Sequence, residues 1–216
     1  MSERQAPKVT GRPPVHEVRG LSGGRRPGRR EAPARVAALV RLAHHRWCIP
    51  VLAELGPRGG ARISELAHRI GGSRLAVRQA ADALGRMGLV AAVTGHGHPL
   101  RPEVVLTDAG LRVTDLALQL EDALTRTGVT ELARRKWTLP ALLALGQRPR
   151  RYGEVRRALP GITDRALSGA LRDLERSGLA SREVLEDAPP ATRYRLTASA
   201  RPVASAADAL LSALPA

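Results

Sequence analysis

The sequence predicts a mainly α fold with small β wings: two tandem copies of one helix-rich unit, residues 35–125 and 126–216, behind a disordered basic tail at 1–34. Three observations predict it. A string of residues recurs at a spacing of 90, where "RWCIPVLAELGPR" (Arg46–Arg58) is answered by "KWTLPALLALGQR" (Lys136–Arg148). Within each copy, apolar residues recur at helical spacing between breaks marked by Gly, Pro and Ser or Thr. The core must also be aliphatic, because there is no Phe and only Trp47, Trp137, Tyr152 and Tyr194 are aromatic.

The elements follow in order. The tail is rich in Pro, Gly and Arg and lacks hydrophobic periodicity, so it cannot bury enough surface to offset the entropy of ordering it. A first helix runs through Trp47 or Trp137 and ends at Gly56 or Gly146, a common C-terminal stop. A short second helix is "ISELAHRI" in one copy and "YGEVRRAL" in the other. A tight turn, "GGS" or "PGIT", leads to a third helix opened by Ser73 or Thr163, both good N-caps, and closed at Gly88 or Gly178. Two strands then flank a Pro-containing turn, with "GHGHP" (Gly95–Pro99) in the first copy and Pro189–Pro190 in the second. An amphipathic helix ends each unit, "LRVTDLALQLEDAL" and "RPVASAADALLSAL". Leu84, Arg86, Gly88 and Leu89 stay in register with Leu174, Arg176, Gly178 and Leu179, and Leu106–Thr107 with Leu196–Thr197. Helix formation alone would not keep Trp, Pro and Gly aligned, so the pattern reads as a duplication. Helix, helix, turn, helix and two-stranded ribbon is the order of a winged helix-turn-helix.

Charge narrows the partner. The formal net charge is +15, carried almost entirely by Arg, since Lys8 and Lys136 are the only lysines. Arg grips phosphate and guanine edges in bidentate fashion, so a polyanion is the expected partner. Residues 126–216 hold sixteen basic and nine acidic side chains against eleven and eight in 35–125, which favours the second copy as the anion-binding half. With four aromatic residues the chain lacks stacking platforms, so single-stranded nucleic acid is disfavoured, and the winged helix-turn-helix order points to double-stranded DNA. Cys48 is the lone cysteine, which excludes an intrachain disulfide and fits a reducing compartment. No membrane span or secretory signal is evident, so a cytoplasmic, nucleoid-associated protein is expected. No catalytic constellation stands out and no cofactor is expected. His44, His45 and Cys48 have spacing compatible with a shared metal, but a buried thiol beside helix-surface histidines is the favoured reading, so no metal is assigned.

The third helix of the second copy has two faces. Ala166, Leu167, Ala170, Leu171 and Leu174 recur every three or four residues and form an apolar stripe, while Arg165, Ser168, Arg172 and Arg176 fall on the other side. In a helix-turn-helix the second helix enters the major groove, where Arg165 and Arg172 can each donate two bonds to guanine and Ser168 can serve several bases. Gly169 clears space beside that face, and the helix N-terminus at Thr163 offers N–H groups to a phosphate. Arg148, Arg150, Arg151, Arg156 and Arg157 surround the second helix, and Arg182, Arg193 and Arg195 lie in or near the ribbon. In the first copy Leu75 stands in place of Arg165 and Asp82 in place of Arg172, leaving Ser73, Arg74, Arg78 and Gln79 as its reading set.

The second copy is similar to the HxlR-type winged helix-turn-helix regulators. The matching features are Lys136–Trp137–Thr138, Arg151–Tyr152 with Glu154, Leu159–Pro160–Gly161–Ile162, the "LRDLERSGL" run, and Pro189–Pro190 before Tyr194–Arg195–Leu196–Thr197. The first copy keeps only the skeleton. The resemblance implies a sequence-specific, DNA-binding transcriptional regulator whose usual members are dimers of single-domain chains, so two domains in one chain imply a covalently fused pseudo-dimer, with further dimerisation and a small-molecule effector left open. Arg193 stands where the family often has an acidic residue, and neither copy has the cysteine that thiol-sensing members carry well before the Lys-Trp pair. A second reading is a ligand- or protein-binding module that has lost DNA recognition, its ligand held between the copies by Trp47, Trp137 and the terminal helices.

Overall fold

The computed structural model describes residues 31–93, 102–146, 148–185 and 191–215. Residues 1–30 of the expected tail, and the turns at Gly95–Pro99 and Pro189–Pro190, lie outside the described residues.

Helix α1 spans Glu31–His44, so it takes in the last four residues assigned to the tail. Pro33 does not prevent this, because the N–H it lacks would go unbonded in the first turn of a helix anyway. Helix α2 is Cys48–Leu55. One helix through Trp47 was expected, yet the chain breaks there. Pro50 lies third in α2, where its missing N–H costs nothing; inside a continuous helix it would leave the carbonyl of residue 46 unpaired and press against it. The proline therefore sets the helix start, and Val51 N–H donates to the Trp47 carbonyl at 2.9 Å. Gly56 ends the helix in right-handed geometry, not the left-handed one. What requires its small size is Thr114, since a Cβ at Gly56 would lie 2.5 Å from the Thr114 hydroxyl.

The first half continues with β1 (Gly60–Ala61), α3 (Ile63–Ile70), α4 (Arg74–Arg86), β2 (Val90–Val93), β3 (Glu103–Leu106) and α5 (Asp108–Thr127). The second half runs α6 (Thr130–Ala133), α7 (Thr138–Leu145), β4 (Arg150–Arg151), α8 (Tyr152–Ala158), α9 (Asp164–Arg176), β5 (Ala180–Leu185), β6 (Ala191–Leu196), a 3-10 turn at Ala198–Ala200, and α10 (Arg201–Ala213). Here too the helix breaks at the Trp, with Pro140 third in α7. The fold is mainly helical with small antiparallel sheets of winged-helix type. The sheets run β1-β3-β2 and β4-β6-β5. Each thus has a third strand that sequence patterning missed, since two residues are too few to show alternation.

The halves share caps and packing positions. Ser73 Oγ accepts from Ala76 N–H and Thr163 Oγ1 from Ala166 N–H, both at 3.2 Å. Thr107 and Thr197 hydroxyls donate to the carbonyls of Gly88 and Gly178, each at 2.6 Å. Helix α5 packs along both α2 and α10. Its buried face is Val113, Ala117 and Leu120; that of α10 is Val203, Ala207 and Leu210, all without measurable exposure. Alanine at the middle position of each face lets the helix axes approach closely while the branched residues fill the flanks. The two faces thus carry the same order of Val, Ala and Leu. Among the described residues, no helix is long and apolar enough to cross a membrane.

Candidate nucleic-acid interface

Helix α9 sits on its domain by the expected stripe. Leu167, Ala170, Leu171 and Leu174 are buried and Ala166 is half-buried. The opposite face presents Arg165 and Arg172, both exposed and neither with a hydrogen bond or ion pair among the described residues. Two guanidinium groups two turns apart are thus held by a rigid helix and left unsatisfied. A Cβ at Gly169, between them, would meet nothing within 4 Å, so that stretch of the face is open.

Ser168 differs from its expectation as a free polar group. It is half-buried, with Oγ 3.2 Å from the Tyr152 hydroxyl of α8. That hydroxyl donates to the Asp164 carbonyl at 3.0 Å. A phenol has one proton, so Ser168 donates to Tyr152 and keeps lone pairs for the outside, which makes it an acceptor. The N-terminus of α9 also differs, since Asp164 occupies the first turn with its carboxylate 3.2 Å from Arg156 Nε. An acid there suits the helix dipole but takes the place a phosphate was expected to fill. In α4 the first turn holds Arg74 and no acid. Sequence reading missed Tyr152 and Asp164 as organisers of this face; the pairing of Tyr152 and Arg156 with Asp164 across the turn needs the fold to be seen.

Around α8, several arginines are engaged. Arg148 donates twice to Glu154 Oε1 at 3.3 Å, and Glu154 Oε2 accepts from the Arg151 N–H at 2.7 Å. That backbone bond, with Arg148 beside it, holds the Glu154 carboxyl below the usual range. Arg157 donates to the Gly153 carbonyl at 3.1 Å, and Arg150 lies with its Nε buried. The ribbon aligns Arg151, Arg193 and Glu183 in one cross-strand row, with Arg193 Nη1 4.0 Å from Glu183. Arg150, Tyr194 and Arg182 form the next row, where burial pushes the Tyr194 phenol up and Arg182 counters it. Arg195 is exposed and donates to Ser181 Oγ at 3.2 Å through Nε alone, leaving its forked end outward. Arg151 and Arg182 are exposed as well.

In the first half, α4 brings Ser73, Arg74, Arg78 and Gln79 onto one exposed surface, with Val77, Ala80 and Leu84 buried behind. Asp82 is exposed with them, and Leu75 is 66% exposed. A leucine that bare on a helix otherwise well anchored is the feature of this face sequence reading passed over.

Sites set aside from sequence have defined positions. His44 is exposed, His45 half-buried and Cys48 buried, its thiol donating weakly to the Ala80 carbonyl at 3.7 Å. Burial pushes the Cys48 thiol up to about 12. A thiol reagent at neutral pH should therefore modify Cys48 only upon unfolding, and stoichiometric labelling of the native chain would contradict this burial. The expected ligand space between the copies is filled. Arg46 and Arg134 lie over the Trp47 ring at 4.9 and 4.7 Å, and both pair with Glu131, at 3.0 and 2.7 Å. The gap beside them, touched by Leu42, Glu121 and Leu139, has a volume of only about 10 Å³. Neither Trp lines a ligand-sized cavity among those described.

Comparison with known proteins places these elements. The family model described as HxlR-like helix-turn-helix matches residues 132–213. An uncharacterized HTH-type transcriptional regulator of Methanothermobacter thermautotrophicus is 41% identical over 75 residues, 35% of this chain and 57% of that protein. One from Synechocystis is 37% identical over 75 residues, 35% of this chain and 56% of its own length. The chain spans little more than half the length of these curated relatives. A solved structure of a MarR-family transcriptional regulator from Porphyromonas gingivalis W83 is 32% identical, with 41% of this chain and 85% of that chain covered at a TM-score of 0.38. The names borne by these relatives are those of transcriptional regulators, not enzymes. The matched stretch carries α7 to α9, the β4-β6-β5 sheet and α10, and it is similar to the HxlR-like helix-turn-helix family over that length.

Proposed function

We propose that the chain is a transcriptional regulator that binds double-stranded DNA sequence-specifically, as two fused winged helix-turn-helix units forming a pseudo-dimer. The observation that carries the reading is the outer face of α9, where Arg165 and Arg172 stand exposed and unpaired on a helix fixed by four buried apolar residues. Both lie within the HxlR-like match. In this reading α9 enters the major groove and Arg165 and Arg172 read guanine, with Ser168 as an acceptor for an amino group of adenine or cytosine. Arg151, Arg182, Arg193 and Arg195 take backbone phosphates, which position the domain without specifying sequence. Thr163 serves as the cap of α9.

Residues 35–125 act as the divergent partner unit. Ser73 caps α4, Arg74 meets phosphate, and Arg78 and Gln79 read guanine and adenine. Exposed Leu75 supplies an apolar surface suited to a thymine methyl. The two reading faces differ at each equivalent pair from Ser73 and Thr163 to Asp82 and Arg172, so the preferred site is an imperfect palindrome whose halves are centred about one helical turn apart, ~34 Å. The likeness of sheets, caps and buried faces between the halves supports this arrangement. The protein would work on the nucleoid.

Binding of the full chain to a duplex enriched from a random pool should fall on the order of 10³-fold between about 50 and 200 mM salt, because Arg–phosphate contacts release counterions. Fluorescence anisotropy at several salt concentrations measures it. Absent or salt-insensitive binding would overturn the proposal.

A further inference from the structure

We propose that the open cavity between α1, the C-terminal end of α4 and Pro215 beyond α10 is a binding site for a small organic carboxylate with an apolar body. The cavity has a volume of about 530 Å³, within the range of small-molecule sites. Arg41 and His44 project into it from α1, His45 follows, Arg86 comes from the last turn of α4, and Met87 and Pro215 supply apolar wall. Among the described residues no carboxylate lines it.

Four basic side chains facing one space without a counter-charge among the described residues is an unusual balance. Arg41 and Arg86 are exposed and make no hydrogen bond or ion pair among the described residues, so their forks are available. The cost of the crowding is visible at His45, whose proton affinity is lowered by burial first, then by His44 and Arg86. An anion between them removes that repulsion. A guanidinium binds a carboxylate by two parallel bonds, which favours a planar anion over a simple point charge. The apolar wall gives the rest of such a molecule a surface to cover, which a bare inorganic anion would leave wet. The occupant would touch the end of the first reading helix and the last described residue of the second half, segments far apart in sequence.

The site is tested without DNA, so its failure and that of the DNA-binding reading are separable. Calorimetric titration of the full chain would use benzoate as probe, benzamide as its uncharged isostere, and inorganic phosphate as an anion without apolar body. Benzoate is expected to bind at one site per chain, with benzamide and phosphate each weaker by about tenfold or more. Arg41→Ala/Arg86→Ala should reduce benzoate affinity by at least about tenfold while the thermal unfolding temperature of the free chain stays within a few degrees. Equal binding of benzamide would show an apolar pocket, and equal binding of phosphate a general anion patch; either overturns the proposal. Undiminished benzoate binding by the double variant, or by Arg41→Lys/Arg86→Lys if the alanine variant unfolds, also overturns it.

Discussion

Replacing Arg165 and Arg172 together with alanine is expected to abolish sequence preference while leaving the fold intact. Each bidentate contact to guanine is worth about 1–3 kcal/mol of discrimination, so the pair should lower affinity for the selected duplex on the order of 10²- to 10⁴-fold. Affinity for a scrambled duplex should fall far less, and the slope of binding against salt should change little, because base contacts release few counterions. If the two arginines hold phosphates instead, both duplexes weaken together and the salt slope drops by about two contacts. That outcome would remove them from the reading set. Unfolding is not a ready confounder, since both side chains are exposed and the helix is held by Leu167, Leu171 and Leu174 on the other side. The parallel double variant Arg78→Ala/Gln79→Ala should relax preference in one half of the site only.

Gly110→Ala should cost stability, although alanine is ordinarily the better helix former. Gly110 is buried in the first turn of α5, and its N–H donates to the Thr107 hydroxyl at 3.1 Å. A Cβ there would drive into the backbone carbonyl oxygen of Leu89 and lie 3.0 Å from Leu106 Cδ2. That carbonyl is tied, accepting from Thr107 N–H at 3.1 Å, so it cannot swing away without releasing the strand end. The chain contains its own comparison. The position 90 residues on is Ala200, also fully buried, next to the same bond between Thr197 N–H and the Leu179 carbonyl at 3.0 Å. There the chain makes a 3-10 turn over Ala198–Ala200 and starts its α-helix only at Arg201, whereas α5 begins at Asp108. The methyl group is accommodated by a later helix start. Forcing Gly110→Ala should therefore cost about 1–3 kcal/mol net, a typical overpacking penalty. Urea unfolding measures it, and unchanged stability would refute the account. Ala200→Gly should not gain a comparable amount, because glycine adds unfolded-state entropy.

Periodicity and punctuation made most of the fold legible. The apolar stripe of α9, its Thr163 cap and its stop before Gly178 are all local facts of the chain, and they stand as read. The break at each Trp was written in Pro50 and Pro140, but helical apolar spacing on both sides concealed it. Strands β1 and β4 were illegible because two residues carry no alternation; only the neighbouring strand defines them. The proposed DNA-facing set was legible as charge and not as availability. Nothing in the sequence tells Arg165, which stands alone, from Arg156, which Asp164 occupies, or from Arg148, which Glu154 holds. Pairing across a turn depends on where a loop sets two helices, and that is tertiary information. The Trp-lined ligand space failed for a similar reason, since the sequence did not show that Arg46 and Arg134 would cover the Trp47 ring.

The pairing of α5 with α10 within a single chain has a consequence for dose. Two separate chains meeting through such helices would assemble in proportion to the square of their concentration, and dilution would take them apart. Here the helices are tethered through one backbone, so their meeting is a first-order event at an effective concentration set by the connecting segment. Occupancy of a DNA site by both halves would then rise with the first power of protein level, and a cell holding very few copies would still hold each of them ready assembled.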